Sequence, residues 1–381
     1  MIYLDSAATS YDRPKEVAQA VYDAILTMGN AGRGSHASSL SSARMIYETR
    51  RLLCELFGGP APEQVVFTSN ATEALNIAIQ GLARPGIRMA ATAMDHNSVL
   101  RPLYLAGQRG STTEIVGADE KGRISLESVE MLFQKGLDVF VCTHASNVTG
   151  NVNPIREIGA LCKKYGILFV VDASQTAGVF PIDMQKDQID ILCFTGHKGL
   201  MGPQGTGGMI VSEKIQLPAF KVGGSGVQSF LRTQPSQMPT ALEAGTLNGH
   251  GIAGLHAALQ YILEQGVDSI HRIECERMQQ FYEGVTEIES VRVYGDFSEM
   301  QSRAPIVSLN IGDYDSAAVS DELSEVYGIQ TRPGAHCAPL MHQTFHTEEQ
   351  GMVRFSFSHF VTEEQIQETV QALREMTGGS V

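Results

Sequence analysis

From residue 61 to about 212 the chain alternates short apolar runs with longer amphipathic stretches. The runs are "QVVFTS" (64–69), "IRMAATA" (87–93), "LDVFVCTHAS" (137–146), "ILFVVDAS" (167–174), "IDILCFTG" (189–196) and "GGMIVS" (207–212). Between them lie helix-like segments such as "ATEALNIAIQGLA", "NSVLRPLYLAG" and "IREIGALCKKYG". Several runs are continuous in Val, Ile, Leu and Phe, without alternation. That is the signature of strands covered on both faces, hence of a largely parallel sheet. Strands alternating with helices predict an α/β layer architecture.

The last third has a different rhythm. "GIAGLHAALQYILEQG" (251–266) and "IHRIECERMQQFYEGVTEI" (270–288) predict two long helices. A strand, helix, strand, helix series follows in "APIVSLNIG", "AAVSDELSEVYGIQTR", "MVRFSFSHF" and "TEEQIQETVQALREM". The expected division is a large α/β domain over 14–254 and a smaller α+β domain formed by 1–13 with 255–381. A helix over about 14–28 is expected to pack against one or the other, and the glycines of "GHGIAG" suit a hinge. No internal repeat or low-complexity tract is present.

With 381 residues, 43% of them hydrophobic, the chain can bury two or three ordinary cores. A formal net charge of −14 argues against nucleic acid and anionic membranes as partners. No apolar run approaches the roughly 18 residues of a membrane span, and the opening "MIYLDSAATSYDRP" lacks the pattern of a signal peptide. The six cysteines (Cys54, Cys142, Cys162, Cys193, Cys275, Cys337) form no C-x-x-C pair and read as reduced thiols of a cytoplasmic protein.

Ligands of parallel α/β sheets bind beyond the carboxyl ends of the strands. Polar residues collect there: Asn70, Ala71 and Thr72 opening a helix; Asp95, His96 and Asn97; His144 to Asn147; Asp172 with Gln175; and Thr195, His197 and Lys198. Taken singly, each has an ordinary explanation as cap, turn former or solvated side chain. Lys198 stands apart because glycines crowd it at 196, 199, 202, 205, 207 and 208. A lysine amine forms a Schiff base with an aldehyde, and an aspartate at a neighbouring strand end suits a protonated pyridine nitrogen. Amides at the start of a helix suit a phosphate. Together these parts point to pyridoxal phosphate. No G-x-G-x-x-G follows the first strand of the region, which disfavours a dinucleotide fold.

"YLDSAATS", "TSNATEALN", "DHNSVLRP", "HASNVTG", "VVDASQTAG", "FTGHKGLMGPQGTG", "EAGTLNG", "RPGAHCAPLMH" and "VRFSFSHF" resemble, in order, the class V aminotransferase family, and within it the cysteine desulfurases and selenocysteine lyases. The resemblance implies the fold type I of pyridoxal phosphate enzymes, with a mainly parallel seven-stranded sheet in the large domain. It implies that Lys198 carries the cofactor aldehyde and moves the substrate Cα proton, with Asp172 on the ring nitrogen, Gln175 on the ring hydroxyl and His96 stacked on the ring. Ala71, Thr72, Thr195 and His197 would hold the phosphate, and Thr246 the phosphate of a second subunit in a homodimer. Arg354 would clamp the substrate carboxylate with help from Asn147, and the segment from Asp5 to Thr9, Ala8 included, would line the pocket.

Cys337 lies between Pro333–Gly334 and Pro339, with His336 adjoining and Arg332 nearby in sequence; cationic neighbours favour a thiolate. The resemblance makes it the nucleophile that takes sulfur from L-cysteine as a persulfide, for later passage to an acceptor protein or reductant. The alternatives on the same scaffold are a selenocysteine lyase, a cysteine sulfinate-type lyase or a small-amino-acid aminotransferase; a non-catalytic scaffold protein is the reading from another class. Three positions depart from the family pattern. Ala335-His336 precedes the cysteine where two histidines are usual, "FSFSHFVT" follows Arg354 without Tyr-Asn, and Asn stands at position 70.

Overall fold

The computed structural model describes residues 1–31 and 34–378. The chain begins with β1 (Ile2–Tyr3), α1 (Lys15–Thr27), α2 (Ala37–Phe57), β2 (Val65–Thr68), α3 (Ala71–Leu82), β3 (Arg88–Thr92), α4 (Asn97–Gln108), β4 (Thr112–Val116) and α5 (Leu126–Gln134). It continues through β5 (Val139–Thr143), α6 (Ile155–Tyr165), β6 (Leu168–Asp172), β7 (Ile191–Thr195), β8 (Gly207–Val211), α7 (Gly249–Gln265) and α8 (Val267–Thr286). The last part holds β9 (Val291–Tyr294), β10 (Ile306–Ile311), α9 (Ser316–Tyr327), β11 (Ile329–Gln330), α10 (Pro339–Phe345), β12 (Val353–Ser356) and α11 (Glu363–Met376).

Seven strands form the large sheet in the order β2-β8-β7-β6-β5-β3-β4. All neighbours pair in parallel except β8, which runs antiparallel to both β7 and β2. The unalternating strands now have their reason. In β5, Val139 and Val141 join the core cluster against α3 and α4, while Phe140 and Cys142 join the cluster on the opposite face. Val170 opposes Phe169 and Val171 in β6, and Ile191 and Cys193 oppose Leu192 and Phe194 in β7. With both faces buried, the period of two leaves no polar position to betray it.

The seventh strand, β4, carries "TTEIV" at the sheet edge, where only Val116 is buried. α7 runs across the expected 254/255 division: its Ile252, Leu255, Ala258, Leu259 and Ile262 share the large-sheet core, and α1 packs against it. A three-stranded antiparallel sheet, β12-β10-β9, anchors a separate core with Phe281 of α8, Leu323 of α9 and Leu373 of α11. The opening segment belongs to that part too. β1 pairs in parallel with β11, and Asp5 bridges to Ser356.

Candidate active site

The parallel strands end together, and the loops that follow them bring nine of the expected residues to one cavity. Ala71, Thr72, His96, Asn147, Asp172, Gln175, Thr195, His197 and Lys198 all line it. Lys198 lies just past β7. Its loop closes on itself through Met201 N–H to Lys198 O (2.7 Å) and Gly202 N–H to Gly196 O (2.7 Å). The opening segment clasps it from outside, Ser10 donating from its backbone to His197 O (2.9 Å) and from Oγ to Lys198 O (2.8 Å). The glycines permit this. A Cβ on Gly196 would lie 2.1 Å from Thr206 Oγ1, and Gly205 turns with φ +75°. Burial, reinforced by the Arg354 charge, lowers the Lys198 pKa to about 8, Asp172 opposing the fall.

Asp172 ends β6 and is 2% exposed. One oxygen, Oδ1, accepts from Ser174 N–H (2.9 Å) and Ser174 Oγ–H (2.5 Å). Burial raises its pKa, with the Ser174 hydrogen bonds and Lys198 pulling the other way. His96 caps α4. Its Nδ1 accepts from Ser98 N–H (3.0 Å), and Ser98 Oγ stands 2.8 Å from Thr72 Oγ1. Burial, with Lys198 second, lowers the His96 pKa to about 4, so the imidazole lining the cavity is neutral at pH 7. His197 is also pushed down to about 4 by burial, and its Nδ1 lies 3.0 Å from Thr9 Oγ1.

The residues fit pyridoxal phosphate. At the start of α3, Asn70 Oδ1 accepts the Glu73 N–H (2.9 Å), which satisfies the third helical amide and leaves those of Ala71 and Thr72 without intrahelical partners. Thr195 Oγ1 is buried without a partner. A buried hydroxyl and two helix-start amides form a site for phosphate oxygens. Asp172 and Lys198, on adjacent strand ends, supply an acid for a ring nitrogen and an amine for an aldehyde. Asn at position 70 therefore caps the helix without intruding on those amides. Gln175 Nε2 donates to Ala7 O (3.2 Å).

Four expected residues stand outside this cavity. Ala8 lies in the turn whose N–H bonds Asp5 O (3.0 Å). Thr246 lines a separate cleft with Tyr47, Arg50 and Asn248. Arg354, 1% exposed in β12, donates from Nη2 to Asp5 Oδ1 (2.8 Å) and from Nη1 to Asn147 O (3.0 Å), while Nε is buried and unpartnered. Cys337 is exposed. Both it and His336 adopt left-handed backbone, φ +55° and +50°, at about 1–2 kcal/mol each for a non-glycine residue. Asn147 joins the groups: its Nδ2 donates to His336 O (2.8 Å) while its backbone carbonyl receives Arg354.

Two residues that the sequence presented without a role, Asp95 and His359, have defined settings in the structure. Asp95 is fully buried; its carboxylate accepts from Thr92 N–H and Oγ–H and from Thr143 N–H (2.7–2.8 Å), tying β3 to β5 beneath the cavity. Burial pushes its pKa up to about 7. The departure after Arg354 sets His359 Nδ1 3.6 Å from buried Glu274 and Nε2 3.0 Å from Tyr261 OH. Among the described residues no cluster of three or more His, Cys, Asp or Glu could hold a metal, and no helix is long and apolar enough to cross a membrane.

The model of the class V aminotransferase family (Aminotransferase class-V) matches residues 2–369. A protein of Methanothermobacter thermautotrophicus named a probable cysteine desulfurase is 32% identical over 384 residues, covering 99% of this chain and 95% of that protein. A cysteine desulfurase of Escherichia coli O157:H7 is 28% identical over 389 residues, 99% of this chain and 93% of that one. The apo structure of a cysteine desulfurase from Thermococcus onnurineus NA1 superposes with a TM-score of 0.93 at 31% identity, covering 100% of this chain and 95% of the other.

Proposed function

We propose, from the premise that this chain belongs to the class V aminotransferase family, that it is a pyridoxal phosphate-dependent cysteine desulfurase converting L-cysteine to L-alanine. The observation that carries the reading is the convergence of Lys198 and Asp172 on one cavity, with exposed Cys337 joined to it through Asn147. The relatives and the Thermococcus structure bear the same activity in their names.

Ala71, Thr72, Thr195 and His197 hold the cofactor phosphate, Asp172 the ring nitrogen, Gln175 the ring hydroxyl, and His96 covers the ring face. Bound there, the cofactor supplies an electron sink for the carbanion at the substrate Cα. Arg354 receives the substrate carboxylate; its buried, unpartnered Nε is the donor still open. Lys198, with its pKa brought down to about 8, takes the Cα proton as a base near neutral pH. The Cys337 thiolate attacks the substrate sulfur. A sulfur–sulfur bond forms as the carbon–sulfur bond breaks, its electron pair staying with the substrate carbons; Cβ takes a proton, Lys198 returns one to Cα, and alanine leaves with a persulfide on Cys337. A thiol reductant or acceptor protein then removes the sulfur. We also read a cytoplasmic homodimer, in which Thr246 serves the partner's phosphate; all six cysteines are free, and exposed Tyr22, Ile25, Leu26 and Tyr47 give α1 and α2 an apolar face.

The test is purified holoenzyme with L-cysteine and a thiol. Alanine and sulfide should form in equal amounts, and without the thiol the Cys337 peptide should gain one sulfur atom. Alanine production from selenocysteine alone, or alanine formed only from pyruvate with an amino donor, would replace this activity by a lyase or aminotransferase on the same scaffold.

A further inference from the structure

Asn147 is engaged twice, through its side chain and through its backbone. The family pattern gives it to the substrate carboxylate, beside Arg354. In the structure its side-chain Nδ2 donates to His336 O at 2.8 Å, and its backbone carbonyl accepts from Arg354 Nη1 at 3.0 Å. Its Oδ1 is buried and unpartnered. The residue it grips begins the left-handed pair that presents Cys337. Non-glycine residues persist in that conformation only where surroundings impose it.

The other restraints on the loop come from the same elements. Asn97 N–H, at the first position of α4, donates to Cys337 O (2.8 Å). The His336 ring donates from Nε2 to Arg332 O (3.0 Å). Arg354 N–H donates to Arg332 O (2.9 Å), so the loop's stem pairs with the strand that carries the clamp. The nucleophile's residue is thus exposed while its loop is restrained through the backbone.

We infer that Asn147 is a positioning residue for Cys337: through the His336 carbonyl it holds the nucleophile's loop in register with Arg354 and the Lys198 cavity. The inference rests on the desulfurase reading for its chemistry, but the geometry of the loop is independent of the substrate.

The experiment compares wild type, Asn147→Ala and Asn97→Pro holoenzymes. The second variant removes the N–H that Cys337 O accepts, at a first helical position where proline is tolerated and after a residue, His96, already at φ −71° and ψ 159°. Three readouts are taken: amide hydrogen exchange over 334–338, alkylation of Cys337 by iodoacetamide, and steady-state kinetics with L-cysteine. Expected are exchange at least tenfold faster in that segment, a changed alkylation rate, and a larger fall in kcat than rise in KM. Asn97→Pro should reproduce the exchange and alkylation effects with KM unchanged. Unaltered exchange and alkylation in Asn147→Ala, with KM alone raised, would return Asn147 to the substrate carboxylate and overturn the inference. If Asn147→Ala fails to fold, unaltered exchange and alkylation in Asn97→Pro would equally overturn it. A wild type that does not release sulfur from L-cysteine would sink the desulfurase reading while leaving the exchange and alkylation results to decide the loop.

Discussion

Arg354 and Asp5 lie 349 positions apart in the chain and 2.8 Å apart in space, the guanidinium side chain 1% exposed and the carboxylate side chain 19%. Breaking a buried pair strands the charge that remains. Asp5→Ala should therefore cost about 3 kcal/mol, the low end for such a break because Asp5 keeps some contact with water. Urea denaturation reads the loss. Arg354→Ala breaks the same pair and should in addition raise KM for the amino acid roughly 10- to 100-fold, the value of one charge-assisted hydrogen bond.

Lys198 makes the stability of the cofactor-free protein depend on pH. The folded protein gives up this proton near pH 8, and the unfolded chain keeps it to about 10.5. Below pH 8 the enclosed ammonium destabilises the fold, on the order of 3 kcal/mol for a shift of this size. Lys198→Met should therefore be more stable than wild type at pH 7, and its advantage should shrink as pH rises through 8 to 10.5. Thermal or urea unfolding of the cofactor-free forms across that range checks it. A constant difference would contradict the burial of the amine.

Asp172→Asn should leave the fold intact, since the amide keeps an oxygen for Ser174 N–H. It removes the charge that favours a protonated ring nitrogen. Exchange of the substrate Cα hydrogen with deuterated water should slow about 100-fold or more, the usual loss when one preorganised electrostatic group is removed.

Gly196→Ala places a methyl 2.1 Å from Thr206 Oγ1 and 3.1 Å from Thr206 O. The backbone beneath is paired, Gly196 N–H with Thr206 O at 2.8 Å, so it has little room to yield. Destabilisation of about 2–3 kcal/mol is expected. Lower cofactor retention after dialysis should accompany it, because the shifted backbone leads directly into Lys198.

Much of this arrangement was legible because it follows local rules. Buried strands wrote themselves as unbroken apolar runs, and their polar ends marked the cavity. β4 was not legible: at the sheet edge, "TTEIV" has one buried residue and no run to show. Asp95 was legible as a polar strand-end residue but not as a brace, since nothing in "AMDHN" reveals that its acceptors meet amides on β3 and β5. The left-handed His336–Cys337 pair and the direction of the Asn147 amide are likewise set by segments about 190 residues apart. Residue types proposed the chemistry, and only packing could say which group orients which.

The clasp around Lys198 has a consequence for synthesis. Ser10 holds the lysine loop, while Asp5 and Ala7 wait for Arg354 and Ser356, the latter pairing Ala7 N–H with Ser356 Oγ at 2.9 Å. Chains emerge from the ribosome amino end first. The seven-stranded layer can assemble while the opening decapeptide still lacks its distal anchors. A nascent polypeptide halted before residue 353 would thus carry every group of the vitamin-binding cavity and no finished substrate clamp.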